Sequence, residues 1–144
     1  MSIPELQDCH LDHIAIAVND LDKAEKIYTD LGLIFGDKDK REIVADQYVE
    51  TSFAAIDAKA HIELLKPVNG QGPIQKFLDS KGEGLHHLCF RVKNVKDKSE
   101  ELKAKGYRLI YEEAKIGAGN CLVNFIHPKS TGGVLIEISE SLKE

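Results

Sequence analysis

LDHIAIAVNDLDKAEKIYTDLGL (Leu11–Leu33) and LHHLCFRVKNVKDKSEELKAKGY (Leu85–Tyr107) lie over one another without a gap at an offset of 74 residues. Leu11 falls on Leu85, His13 on His87, Val18 on Val92 and Gly32 on Gly106. An internal repeat decides the fold class before any single element does. In each copy an apolar strand-like run (about 12–18 and 86–92) leads directly into a helix (about 21–31 and 95–105). Asp20 and Asn94 stand at equivalent places as side chains suited to cap those helices, and Gly32 and Gly106 suit a left-handed helix end. The first helix is expected to bury Leu21, Ala24, Ile27, Tyr28 and Leu31, and the second Val95 and Leu102.

Strand-like runs follow each helix, at about 33–41, 47–56 and 60–66, and again at 107–112, 120–127 and 133–139. STGG before Val134 adds a hairpin signal. NGQGPIQKFLDSKGEG, between the copies, reads as a loop with a short helix opening near Pro73. The expected architecture is α+β. Two tandem βαβββ modules (about 11–67 and 85–139, linker 68–84) form an open, barrel-like eight-stranded mixed sheet around a metal cavity, within a single domain.

The chain's 144 residues bury enough surface to need no disulfide, roughly 70% of what the unfolded chain exposes. A net charge of −5 argues against a nucleic-acid partner and against an anionic membrane surface. Cys9, Cys89 and Cys121 are odd in number and follow no thiol metal spacing, so they read as reduced thiols. With no presequence signal and no apolar run near ~20 residues, a cytoplasmic protein without a membrane partner is expected.

The repeat continues to the end of each copy. Glu63 in HIELL lands on Glu137 in VLIEI, so each copy has a histidine early in its first strand and a glutamate 50 residues later. A single strand histidine is ordinarily a hydrogen-bonded core or surface residue, and a single strand glutamate is ordinarily solvated. Four such residues agreeing across a repeat point instead to a divalent-metal site built from His13, Glu63, His87 and Glu137. Two nitrogens and two oxygens suit Co, Ni, Mn, Fe(II) or Zn with positions left for substrate.

Strand parity agrees. Small or polar residues accompany the histidines (Ala15 and Ala17; Cys89 and Arg91), whereas Ile14, Ile16 and Val18, and Leu88, Phe90 and Val92, form the opposite, helix-packing faces. His86 falls on the helix-packing side and its repeat mate is Asp12, so a structural role is expected for it. His61 shares the Glu63 face; His10 and His127 have no metal partners. Glu50 in YVETSF and its mate Asn124 in LVNFI are expected to face the same cavity. There Glu50 takes a proton from carbon and Asn124 holds a substrate oxygen.

These residues carry a resemblance. Paired βαβββ modules with His and Glu at these places resemble the vicinal-oxygen-chelate superfamily, which includes glyoxalase I. Within it the chain is most similar to the methylmalonyl-CoA epimerases, through GLHH, GPIQKFLDSKGEGLHH, KIGAG and NFIHPKSTGGVLIEI. The resemblance departs at Glu63, where some epimerases carry glutamine and glyoxalase I carries glutamate. It implies a metal-dependent epimerase of an acyl-CoA substrate, with one divalent ion on His13, Glu63, His87 and Glu137. Glu50 and Glu137 are then the proton-transfer pair, and a homodimer is the expected assembly. Lys129, Lys115 and Arg91, with the backbone of KIGAGN, are weaker expectations for holding the anionic CoA. The alternatives are a glyoxalase I-like isomerase and a metal-free small-molecule-binding protein of the same fold.

Overall fold

In the computed structural model, residues 8–143 are described. Their strands are β1 (Cys9–Ala17), β2 (Glu42–Val44), β3 (Val49–Ala55), β4 (His61–Pro67), β5 (Gly84–Val92), β6 (Lys115–Gly117), β7 (Cys121–Ile126) and β8 (Ile136–Ser141). The helices are α1 (Leu21–Asp30), α2 (Gly72–Lys81) and α3 (Val95–Ala104). The first four strands run in the order β2-β3-β4-β1 and the last four in the order β5-β8-β7-β6. Both β1–β4 and β5–β8 are parallel, and the neighbouring hairpin pairs are antiparallel. The α+β class and the βαβββ repeat are therefore present in the folded chain.

The repeat extends to the atoms that start and stop the helices. Asp20 accepts a hydrogen bond from Lys23 N at 3.0 Å, and Asn94 accepts one from Asp97 N at 2.8 Å. Each cap satisfies an amide that the first helical turn leaves without an intrahelical partner. At the other end, Gly32 N bonds Thr29 O and Leu33 N bonds Tyr28 O, both at 2.9 Å. Gly106 N bonds Lys103 O and Tyr107 N bonds Leu102 O in the same way, both at 3.0 Å. Gly32 (φ 111°) and Gly106 (φ 96°) take the left-handed conformation this double closure requires.

By packing density the described chain divides into two compact units. One is His13–His87; the other joins the residues up to Asp12 with those from Leu88 onward. In the His13–His87 unit, α1 covers one sheet face through Val18, Leu21, Ala24, Ile62 and Leu64. On the opposite face α2 packs Ile74 and Leu78 over Ala15, Ala17, Val49 and Leu65. In the other unit, α3 packs Val95 against Val92 and Ile138, flanked by Cys9, Leu102 and Leu122.

Three expectations are corrected. The 33–41 run is no strand: Phe35 alone bridges Ala54, and the charged Asp37–Lys40 stretch turns into a 3-10 turn at Lys38–Lys40, so pairing starts at Glu42. Clustered charge of low β propensity has more to gain from solvent than from a ladder. The 107–112 run makes only one bridge, Leu109 to Ile126, and the outer strand of that module is Lys115–Gly117. On α1, Leu21 and Ala24 are buried and Tyr28 packs beside them, but Ile27 is 61% exposed and Leu31 73%. Among the described residues no helix is long and apolar enough to cross a membrane.

Candidate metal and acid–base site

Register decides which side chains share a face. In the His13–His87 unit, β1 pairs with β4 so that His13 stands beside His61 and Ala15 beside Glu63. β3 pairs with β4 so that Phe53 stands beside Glu63 and Thr51 beside Leu65. His13, His61, Glu63, Phe53 and Thr51 therefore share one face, and Ala15 and Ala17 keep it shallow next to the histidine.

Three functional atoms converge there. His13 Nε2 lies 3.2 Å from His87 Nε2 and 3.3 Å from Glu63 Oε1, and His87 Nε2 lies 3.9 Å from the same oxygen. All three residues are buried, at 7%, 4% and 7% exposure for His13, Glu63 and His87. Phe53 turns its ring edge-on to His13 (6.1 Å) and to His61 (6.3 Å), an apolar wall on the ligand face.

This donor set fits a divalent ion. Ligand atoms bound at about 2.0–2.2 Å stand about 3.0–3.5 Å apart when they subtend roughly 90–110° at the metal. The two shorter separations lie in that interval. Nitrogen and carboxylate donors with no thiolate among them match the borderline-to-hard ions expected from the sequence.

In the other unit Glu137 is 8% exposed on β8, paired at Cα with Cys89 of β5 and Phe125 of β7. Tyr111 meets the Phe125 ring edge-on at 5.9 Å. Burial, and then the Glu137 charge, push the Tyr111 phenol above its ordinary pKa, so it stays a neutral donor. Cys89 Sγ donates to Ser139 Oγ at 3.3 Å. Arg91 donates through Nε to Ser139 Oγ at 3.1 Å and through its guanidinium to Asp12 at 2.9 Å.

The second tier of expected site residues fares differently. Glu50 pairs with Lys66 on β4, and its alternate neighbour Ser52 pairs with Leu64 and donates to Glu25 of α1 at 2.8 Å. Glu50 therefore stands on the α1 face, opposite His13 and Glu63, and is corrected as a cavity residue. Asn124 pairs with Ile138, one place out of step with Phe125 and Glu137, and so lies on the reverse face from Glu137.

The Asn124 amide is fully used within the fold. Its Oδ1 accepts from Tyr111 N (3.1 Å) and Phe125 N (2.8 Å), and its Nδ2 donates to Tyr111 O (3.1 Å) and Ser99 Oγ (3.5 Å). It tethers the loop before β6 to β7, which corrects the substrate-binding expectation.

Arg91 is held in its ion pair with Asp12. Lys115 is exposed on β6 with Nζ 4.3 Å above the Tyr111 ring. Lys129 is exposed in a 3-10 turn (Pro128–Ser130) capped by His127 Nδ1. The glycines of KIGAGN build the β6–β7 hairpin: Gly119 (φ 70°) and Asn120 (φ 55°) both turn left-handed, as a tight hairpin connection requires.

Residues 12–125 match the Glyoxalase/Bleomycin resistance protein/Dioxygenase superfamily. The chain is similar to the human mitochondrial methylmalonyl-CoA epimerase, 38% identical over 133 residues that cover 91% of this chain and 73% of that one. It also resembles the crystal structure of methylmalonyl-CoA epimerase from Mycobacterium tuberculosis, with 41% identity and a TM-score of 0.84 over 92% of this chain and 88% of that one. A variant of the Streptomyces coelicolor methylmalonyl-CoA epimerase in complex with 2-nitronate-propionyl-CoA superposes with a TM-score of 0.87 at 29% identity, over 95% of this chain and all (100%) of that one.

Proposed function

The chain belongs to the methylmalonyl-CoA epimerases of the glyoxalase superfamily, and on that premise we propose that His13, Glu63, His87 and Glu137 hold one divalent ion at its active centre. The reaction is the interconversion of (R)- and (S)-methylmalonyl-CoA. The observation that carries the metal reading is the approach of His13 Nε2, His87 Nε2 and Glu63 Oε1 to within 3.2–3.9 Å of one another. Glu137 joins the set as the repeat equivalent of Glu63, and the binding of a CoA thioester analogue by the Streptomyces relative supports the same substrate class here.

The α-carbon of methylmalonyl-CoA lies between a thioester and a carboxylate, so its proton leaves once the resulting enolate is stabilised. When bound, a divalent ion supplies the positive charge that lowers the cost of that enolate. His13, Glu63 and His87 hold that position from β-strands, with their side chains buried away from competing water. Glu137 is the carboxylate proposed to move a proton at the α-carbon, a role that contributes roughly 10²–10⁴-fold in such reactions. Tyr111, kept protonated by burial and by the Glu137 charge, places a hydrogen-bond donor in the same unit. Epimerisation requires a second proton-handling group, and it has to be presented from a ligand-bearing face, which Glu50 does not share. A homodimer completes this proposal as the assembled form.

Incubation with methylmalonyl-CoA in heavy water is expected to exchange the α-proton for deuterium, dependent on added divalent ion and suppressed by chelator. Consumption of the methylglyoxal–glutathione hemithioacetal with no exchange into the CoA ester would assign the site to glyoxalase chemistry instead. In the same assay Glu50→Gln is expected to exchange within about twofold of the parent, because Glu50 stands on the α1 face of the sheet, opposite His13 and Glu63. A drop of a hundredfold or more would return Glu50 to the proton-transfer step.

A further inference from the structure

His86 adjoins His87 in space as well as in sequence. The two Nδ1 atoms lie 2.8 Å apart, with the rings nearly perpendicular at 80°. Two lone pairs at that distance repel, so one of the nitrogens carries a proton and the other accepts it. The two arrangements have opposite consequences. If His86 donates, neutral His87 keeps its own proton on Nε2, the nitrogen facing His13 and Glu63, and cannot bind a metal there. If His86 accepts, the His87 proton sits on Nδ1 and its Nε2 presents a lone pair toward those residues. The accepting form of His86 carries its proton on Nε2, the intrinsically favoured tautomer of neutral imidazole.

We propose that His86 is a positioning residue that accepts a hydrogen bond from His87 Nδ1–H, and so sets the tautomer and ring orientation in which His87 Nε2 binds metal. The His86 ring is itself placed from the linker helix: it stands edge-on to Phe77 of α2, with centroids 5.0 Å apart at 83°. α2 in turn is anchored by buried Ile74 and Leu78. The chain thus runs from the α2 core through Phe77 and His86 to the outer nitrogen of His87. In the repeat, Asp12 precedes His13 as His86 precedes His87, so each copy carries an acceptor-bearing side chain just before its histidine. Ligand histidines are commonly held by such a partner on the other ring nitrogen, and its loss typically costs 10–100-fold in metal affinity.

This role rests on the metal reading above, and two readouts keep the two apart. In the metal-free full-length protein at alkaline pH, ¹⁵N-edited imidazole spectra are expected to show His87 protonated on Nδ1 and His86 on Nε2. The reverse pair of tautomers overturns the proposal whatever the protein binds.

Titration with Co(II) alone, followed by its visible absorption, supplies the second readout. His86→Phe keeps a ring against Phe77 but removes the acceptor, and is expected to weaken Co(II) binding about 10–100-fold. His86→Asn, which returns an acceptor near the Nδ1 position, is expected to recover most of it. Parent-like Co(II) affinity in a folded His86→Phe protein overturns the role, as does equal weakening in both variants. A parent protein that binds no Co(II) while showing the expected tautomers would overturn the metal reading and leave the hydrogen bond standing.

Discussion

His87→Ala is expected to lose the divalent ion and to slow deuterium exchange into methylmalonyl-CoA by about 10³-fold or more. His87 Nε2 is 3.2 Å from His13 Nε2 and 3.9 Å from Glu63 Oε1, so its removal opens one side of the donor set. A three-ligand remnant holds a borderline ion far more weakly, and the enolate charge then has no cationic partner. Deleting a single group that stabilises developing charge already costs about 10²–10³ in rate. Metal analysis after dialysis, together with the exchange assay, checks both halves of the expectation. Circular dichroism shows whether the fold has survived the loss of one buried ring. Retention of the ion at the parental stoichiometry would remove His87 from the ligand set.

Asn124→Leu is expected to lower the stability of the protein by about 2–4 kcal/mol while leaving metal binding intact. The substitution is close to isosteric but strands both backbone polar groups of Tyr111, which now bond to the Asn124 amide. Each buried polar group left without a partner costs about 1–3 kcal/mol. For a domain of this size that corresponds to a fall in melting midpoint of about 5–15 °C. Because Asn124 is one place out of step with Glu137 on paired strands, the loss belongs to the fold and not to the ligands. Unchanged melting combined with a raised KM for the CoA ester would restore Asn124 to the substrate.

What could be read from residue order was set by period and repeat. The strand alternation that put His13 with Ala15 and Ala17 holds in the structure, and the match of Asp20 to Asn94 and Gly32 to Gly106 extends to equivalent hydrogen bonds. Helix α2 opens at Gly72 with Pro73 in its first turn, close to where Pro73 placed it.

The misplacement of Glu50 and that of Asn124 share a cause. The 74-residue offset makes Glu50 and Asn124 mates, but the antiparallel pairings Phe53 with Glu63 and Phe125 with Glu137 make Ser52 the counterpart of Asn124 and set the face of both strands. A pairing register is a tertiary quantity, and a shift of one residue reverses every side chain. His86, expected on the helix-packing side, does stand against Phe77 of α2, but its contact with His87 was not legible. Parity describes where Cβ atoms point, and it is silent on two rings whose outer nitrogens swing back to meet at 2.8 Å. Phe53 had a usable signal, its odd-numbered place on the Glu63 face, but only once the register was known. Tyr111 had none, since the Glu137 charge acts on its phenol through space, which residue order does not encode.

One of the compact units is discontinuous in sequence, uniting residues before His13 with residues from Leu88 onward. Its tethers span long stretches of chain, as in the Arg91–Asp12 pair, whose members are 79 residues apart. Synthesis runs from the N-terminus at about 5–20 residues per second, so Asp12 waits roughly 4–16 s for Arg91 to be made. The His13–His87 segment has by then been synthesised with all its strands and helices. The residues of β1 ahead of His13 thus gain their Arg91 tether only after the intervening chain has been made. A nascent chain stalled before Arg91 lacks that tether, and an exposed strand end is a place at which another chain can pair.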